Sequence, residues 1–427
     1  MSIPEIYDLF LQYPSIQTDS RKVKKGDVFF ALKGDNFNGN SFAAKALEDG
    51  AVYAVVDEAE YAIDERYILM NDVLTTLQFL AHHHRLQLDI PVIGITGSNG
   101  KTTTKELLTA VLSAKFKTYA TEGNLNNHIG VPLTLLKIKQ DAEIAIVEMG
   151  ANHIGEIASY CKIANPNYGL INNVGKAHLE GFGSLEGVKK AKGELFDYLR
   201  HFNGTVFRNA DLNYLKEMSL GIDRQMTYGT TNADIIGRAI SDAAMLKVIV
   251  LNAGLEVQIQ TQLVGAYNLP NVLAAIAVGH YFGVDIDTIK KALEQYVPSN
   301  SRSQLIERGT NKVILDAYNA NPTSMKLALE NMAGLDAESK WLLLGAMKEM
   351  GNESVIEHQA LVDLAVSLGF KNVLLTGSEF AVVKHDYICF ATSEEMKEYL
   401  LLHKPEHATI LIKGSRGSKM EVALEAL

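Results

Sequence analysis

The run Gly97-Ser98-Asn99-Gly100-Lys101-Thr102-Thr103-Thr104 restricts the fold of this chain more than any other stretch. It follows the apolar, β-branched segment IPVIGIT and opens the helical pattern KTTTKELLTAVLSAKF, so a buried strand, a glycine loop and a helix come in succession. Such a loop turns backbone N–H groups toward a phosphate chain, and the helix N-terminus adds partial positive charge. Lys101 is then the cation for β- and γ-phosphates, and the Thr102 hydroxyl the contact to Mg²⁺. Gly97, Ser98, Asn99, Gly100 and Thr103 complete the nucleotide loop. The strict pattern would need a glycine at position 95, where Ile95 stands, and Gly94 is one residue out of register. The loop is therefore a shorter variant. A glycine turn with a chance lysine is the competing reading, and the order strand, loop, Lys-Thr, helix argues against it.

The rest of the chain repeats the alternation of strands and helices. Residues 1–88 mix short β patterns (DVFFAL, AVYAVV) with helical ones and read as a small α/β domain. Residues 89–300 add AEIAIVEM, YGLINNV and TVFRN as strands between helices, which predicts a parallel sheet covered on both faces. After Pro298-Ser299-Asn300 the pattern restarts with KVILDAY, WLLLGAM, NVLLTG and TILIKGS, so residues 301–427 form a third, Rossmann-like unit. The expected class is α/β in three domains, the central one a P-loop-type sheet with flanking helices.

Charge narrows the ligands. Forty basic against fifty acidic side chains give a formal net charge of −10, which argues against nucleic acid as a general partner. An anionic ligand must meet local cations. Two cysteines, Cys161 and Cys389, make no disulfide framework and fit a reducing compartment. No signal-like N-terminus or membrane-length apolar run is present in MSIPEIYDLFLQYP or LAAIAVGHYFGV. A cytoplasmic protein without membrane insertion is expected.

A phosphate loop alone serves kinases, GTPases, motors and ligases, so polar residues near strand ends must decide. Ligands in open α/β sheets bind beyond the carboxyl ends of the strands. Glu148 closes AEIAIVEM, where a carboxylate would hold a metal, and His178 lies just past another strand. Lys190 and Lys192 sit on the next helix and, by themselves, read as a solvated face. His82-His83-His84 point in different directions on a helix and read as surface and boundary residues rather than one metal site.

Taken together, GSNGKTTT, VEMGANHIGEI, NNVGKAHLEGFGSLEGVKKAKGE, GAYNLPNVLAA and DAYNANPTSM resemble the Mur ligases of bacterial cell-wall synthesis. TDSRKVKKGDVFFALKGDNFNGNSF resembles the family's nucleotide-sugar-binding domain. EGNLNNHIGVPLTLL and YNANP are similar to the branch that adds D-alanyl-D-alanine, and the Asp-Asn-Pro-Arg motif of the diaminopimelate-adding branch is missing. The resemblance implies an ATP-dependent ligase of peptidoglycan precursor synthesis, joining D-alanyl-D-alanine to UDP-N-acetylmuramoyl-tripeptide through an acyl phosphate; a monomer is expected, although the sequence does not fix the oligomeric state. It implies metal contacts from Thr102, Glu148, His178 and a carbamylated Lys192. It also implies nucleotide contacts from Asn268, Asn271, Arg302 and Asp316. Tyr318, Asn319 and Asn321 would lie near the dipeptide, and Ser20, Arg21, Asn126 and Asn127 near the UDP-sugar substrate. Ala346 stands where the family usually has an aspartate. The rival readings are another amide ligase of the superfamily, of diaminopimelate-adding or folylpolyglutamate type, and a non-catalytic nucleotide-binding protein.

Overall fold

The computed structural model describes residues 1–240, 245–252, 254–299 and 301–427; Asn300, placed above at the second domain break, lies outside them. Among the described residues three large sheets follow one another along the chain, and Lys33–Gly34 pairs antiparallel with Phe37–Asn38 as a small fourth one. The N-terminal sheet is parallel, in the order Ile16–Gln17, Val28–Phe30, Tyr53–Val56, Tyr67–Leu69. The C-terminal sheet has six strands, parallel from Asn311–Asp316 through Ala408–Lys413, Ser339–Gly345 and Asn372–Thr376 to Ile388–Phe390, with Gln304–Arg308 added antiparallel at one edge.

The central sheet departs from expectation. Its phosphate-loop strand, Val92–Thr96, lies between Ile144–Glu148 and Tyr168–Ile171, all parallel and, apart from half-buried Tyr168, buried. Beyond Ile235–Ile240, however, Met245–Asn252 and Leu255–Val264 continue the sheet antiparallel. Met245–Asn252 alternates buried with more open positions, which suits a strand covered on one face. The expected parallel sheet rests on AEIAIVEM, YGLINNV and TVFRN, and these two later strands lie outside it.

Core composition follows from the pleat. Ile93 and Ile95 face one layer, shared with the helices Lys101–Ser113 and Leu269–Tyr281. Val92 faces the other, shared with Glu156–Ala164 and Leu185–His201. Period-two alternation thus sends neighbouring residues into two hydrophobic layers.

The N-terminal domain is anchored through the helix Val73–Leu86. His84 is only 3% exposed and corrects the surface reading: its Nε2 lies 2.7 Å from the Ile138 carbonyl and its Nδ1 3.2 Å from the Tyr7 hydroxyl. Buried Arg85 donates to the carbonyls of Ala164, Leu88 and Asn165. A buried cation without such acceptors would be strongly destabilising, so these carbonyls fix where the helix docks. His82 also crosses the boundary, its Nδ1 3.2 Å from the Ile163 carbonyl.

Candidate active site

The site begins at the carboxyl end of Val92–Thr96. Gly97 has φ 146°, and a Cβ there would come within 2.9 Å of the Asn172 Cβ. Gly100 has φ 81°, and a Cβ there would come within 2.6 Å of Asn271 Oδ1. Both positions require glycine, for conformation and for space. The next strand pins the loop between them: Ser98 N donates to the Asn173 carbonyl and Asn99 N to Asn173 Oδ1, at 3.0 and 2.9 Å. The first turn of Lys101–Ser113 then presents N–H groups that have no acceptor within the helix. Lys101 folds back over the loop, its Nζ donating to the Gly97 carbonyl at 2.6 Å. Removal from solvent lowers its pKa; nearby Glu148 opposes that effect and Arg302 adds to it.

Glu148, at the end of the adjacent strand, is 1% exposed. Its Oε1 accepts from Thr102 Oγ1 at 3.1 Å and from Asn126 Nδ2 at 2.7 Å, while its buried Oε2 has no partner. An orphaned buried carboxylate oxygen beside a threonine hydroxyl is a hard-oxygen donor set, and it suits Mg²⁺. Among the described residues no group of three or more His, Cys, Asp or Glu side chains is gathered for a metal. His178, in the left-handed conformation at φ 52°, pairs through Nδ1 with Glu349 of the C-terminal domain.

Lys192 differs sharply from its neighbour Lys190. Lys190 is exposed, whereas Lys192 is 1% exposed, so the solvated-face reading fails for this lysine. Its Nζ donates to the Ala151 carbonyl at 3.2 Å and lies 5.1 Å from the centre of the Phe182 ring. Burial, helped by the positive charge of Lys101, pushes its pKa down to about 7. A large neutral amine fraction at neutral pH is the state that can add CO₂.

The opposite wall comes from the C-terminal domain. The Arg302 guanidinium carbon sits 3.6 Å from the centre of the Tyr318 ring, and the buried Nε has no partner. Asp316 accepts from Ser303 N at 3.2 Å and from Lys413 Nζ at 2.5 Å. Asn321 Nδ2 donates to Asn99 Oδ1 at 2.7 Å and so joins the two walls directly. Between them lies a cavity of about 820 Å³ that reaches from the phosphate loop to Asn126, Asn127, Tyr318 and Asn319.

Not every sequence candidate converges. Ser20 and Arg21 lie on the N-terminal domain and do not line this cavity, and Arg21 is spent on Asp19 at 2.8 and 2.9 Å. Asn268 and Asn271 do line it, yet Asn271 Oδ1 accepts from Thr104 and Asn172, and its Nδ2 donates to Asn268. Their amides brace the loop from below. Ala346 is wholly buried, and a Cβ placed on Gly377 would lie 2.8 Å from its methyl. Residues missed from sequence are Asn172, Asn173, Thr104 and Lys413. The only sequence signal for Lys413 is a lysine that ends the apolar run TILIK.

Three family models match in chain order. The Mur ligase family catalytic domain matches residues 12–85, the Mur ligase middle domain 95–279, and the Mur ligase glutamate ligase domain 301–416. A relative from Escherichia coli (strain K12), UDP-N-acetylmuramoyl-tripeptide–D-alanyl-D-alanine ligase, is 36% identical over 97% of this chain and 93% of its own. This chain belongs to the Mur ligase family. Among solved Mur ligases, a MurF structure from Acinetobacter baumannii superposes with a TM-score of 0.86 at 31% identity, covering 96% of this chain and 92% of that one. MurF from Thermotoga maritima, solved in complex with ADP, gives 0.88 at 27% identity and 97% coverage of both chains. The three-domain Mur ligase architecture is therefore shared, and the chain is an ATP-dependent ligase. Among the described residues no helix is long and apolar enough to cross a membrane.

Proposed function

We propose that this ligase joins D-alanyl-D-alanine to UDP-N-acetylmuramoyl-tripeptide in the cytoplasm, as a step of peptidoglycan precursor synthesis. The reading is carried by one observation: a phosphate loop and the cations of a second domain face each other across a single cavity, in a chain whose full-length relatives bear that name. A bare carboxylate is a poor acyl donor because oxide does not leave. Phosphorylation by ATP converts the tripeptide carboxylate into an acyl phosphate and releases ADP. The dipeptide amine then adds to the carbonyl carbon, and the tetrahedral oxyanion collapses to an amide as phosphate leaves.

The protein's task is alignment and charge neutralisation, since a carboxylate must approach a polyanion. Lys101 and the first-turn N–H groups hold the β- and γ-phosphates. Arg302 reaches the same phosphates from the other wall. Glu148 and Thr102 would hold Mg²⁺, with His178 on the loop beyond, and the metal would neutralise phosphate charge. As a carbamate, Lys192 would exchange a buried cation for an anionic oxygen ligand. Asp316 keeps Lys413 in place, and Asn99 with Asn321 ties the dipeptide side to the loop. Residues 1–88, with Ser20 and Arg21, would carry the UDP end, and Asn126 and Asn127 the sugar-peptide portion.

A ligation assay with ATP and D-alanyl-D-alanine against UDP-tripeptides carrying diaminopimelate or lysine tests this directly. Amide product with stoichiometric ADP is expected for at least one of them. Ligation of only a free diamino acid, or of glutamate to folate, would overturn the assignment.

A further inference from the structure

The reaction proposed above leaves one charge unanswered, because the incoming dipeptide is a zwitterion. Its amine must lose its proton and face the acyl phosphate, while its carboxylate, itself anionic, has to sit near phosphates without repelling them. A cation is needed on the dipeptide side. Of the cavity's other cations, Lys101 donates to the Gly97 carbonyl and Lys413 to Asp316 and the Asn319 carbonyl, while Arg302, stacked on Tyr318 with its buried Nε unpartnered, is assigned above to the phosphates. Lys176 and Lys348, on neighbouring loops, are paired with Glu357 and Glu379.

Arg416 is different. It follows the strand Ala408–Lys413, is exposed, and its guanidinium carbon lies 5.1 Å from the centre of the Tyr318 ring, which lines the cavity. Among the described residues its guanidinium makes no hydrogen bond or ion pair. Arg416 is not itself part of the cavity lining but stands beside it, next to the ring of a lining residue, with its fork of N–H donors open, a geometry matched to bidentate binding of a planar carboxylate.

We infer that Arg416 is the recognition residue for the C-terminal carboxylate of the incoming dipeptide. This inference rests on the ligase reading above and adds the atom by which the acceptor is selected. Tyr318 is then a positioning residue that sets where the guanidinium stands. An acceptor ending in an amide, or a single amino acid too short to span from the reacting carbon to Arg416, is used poorly.

The test compares D-alanyl-D-alanine with its C-terminal amide in wild type, Arg416→Gln and Arg416→Lys. Wild type should prefer the free acid by about ten- to a hundredfold in kcat/KM, the range of a charge-assisted contact. Arg416→Gln should raise the KM for the acid by a similar factor, leave the amide and the KM for ATP unchanged, and so erase the preference. Arg416→Lys should restore part of it. Equal losses on acid and amide, or an undiminished preference in Arg416→Gln, would overturn the inference. A wild-type protein that ligates neither acceptor would instead remove the parent reading. Because Arg416 is exposed, thermal midpoints should stay level across the three proteins.

Discussion

The two walls of the cavity are built in opposite ways. One is local: Gly97 to Thr104 runs directly from strand to helix, and Glu148 closes the adjacent strand. The other gathers Arg302, Asp316, Tyr318 and Lys413 from segments separated by about a hundred residues, held by the pairing of Asn311–Asp316 with Ala408–Lys413. The first wall is fixed by its own backbone and a ladder of asparagine bonds. The second reaches the first through few contacts, among them Asn99 with Asn321, Lys176 with Glu357, and His178 with Glu349. On the proposed reading, phosphate binding thus rests on a locally built part, and acceptor placement on a part whose position depends on how two domains meet.

The difference can be broken from either side. Lys101→Ala strikes the local wall and should lower ligation by at least about a thousandfold with little change in unfolding midpoint; wild-type turnover would remove Lys101 from the mechanism. Asp316→Ala strikes the assembled wall and leaves buried Lys413 without its carboxylate, a loss of about 3 kcal/mol in denaturant unfolding. Adding Lys413→Met should recover most of that stability but not the activity. Asn321→Ala removes both the bridge between walls and the N-cap of the helix Pro322–Gly334, and should cost about 2 kcal/mol, with the KM for ATP rising a few-fold. An unchanged KM for ATP beside the lost stability would mean the contact does not position the nucleotide loop.

The smallest effect lies away from both walls. Burial lowers the pKa of His84, so the folded protein takes up this proton at a lower pH than the unfolded chain does. Below its ordinary value of about 6.5 the unfolded chain takes up the proton first, and stability falls as the pH drops. His84→Gln should flatten that part of the stability profile without altering ATP binding. An unchanged slope would place the acid sensitivity elsewhere, with buried His358 the next group to examine.

Sequence made the local wall readable for a physical reason. Strand, glycine turn and helix are contiguous, and each glycine answers a positive φ or a close approach that only it can meet. Arg302, Asp316 and Tyr318 were reachable through resemblance, but Lys413 and Arg416 were not, because nothing in TILIKGSRG says which strand lies beside it. Lys192 read as solvated alone, since a helical lysine does not reveal that its face turns toward the sheet. The same holds for His84: its own helix does not reveal its burial, because its partners Tyr7 and Ile138 lie far off in sequence. The antiparallel extension after Ile240 is absent from the sequence reading, which names no strand between TVFRN and KVILDAY; even where alternation marks a strand's covered face, it does not fix its direction.

Whether the two walls cooperate in one carboxyl-activating step is decided by following oxygen. UDP-N-acetylmuramoyl-tripeptide carrying ¹⁸O in its terminal carboxylate, turned over with ATP and D-alanyl-D-alanine, should yield inorganic phosphate containing one ¹⁸O atom per amide formed. Phosphate free of label would contradict activation of that carboxylate by ATP.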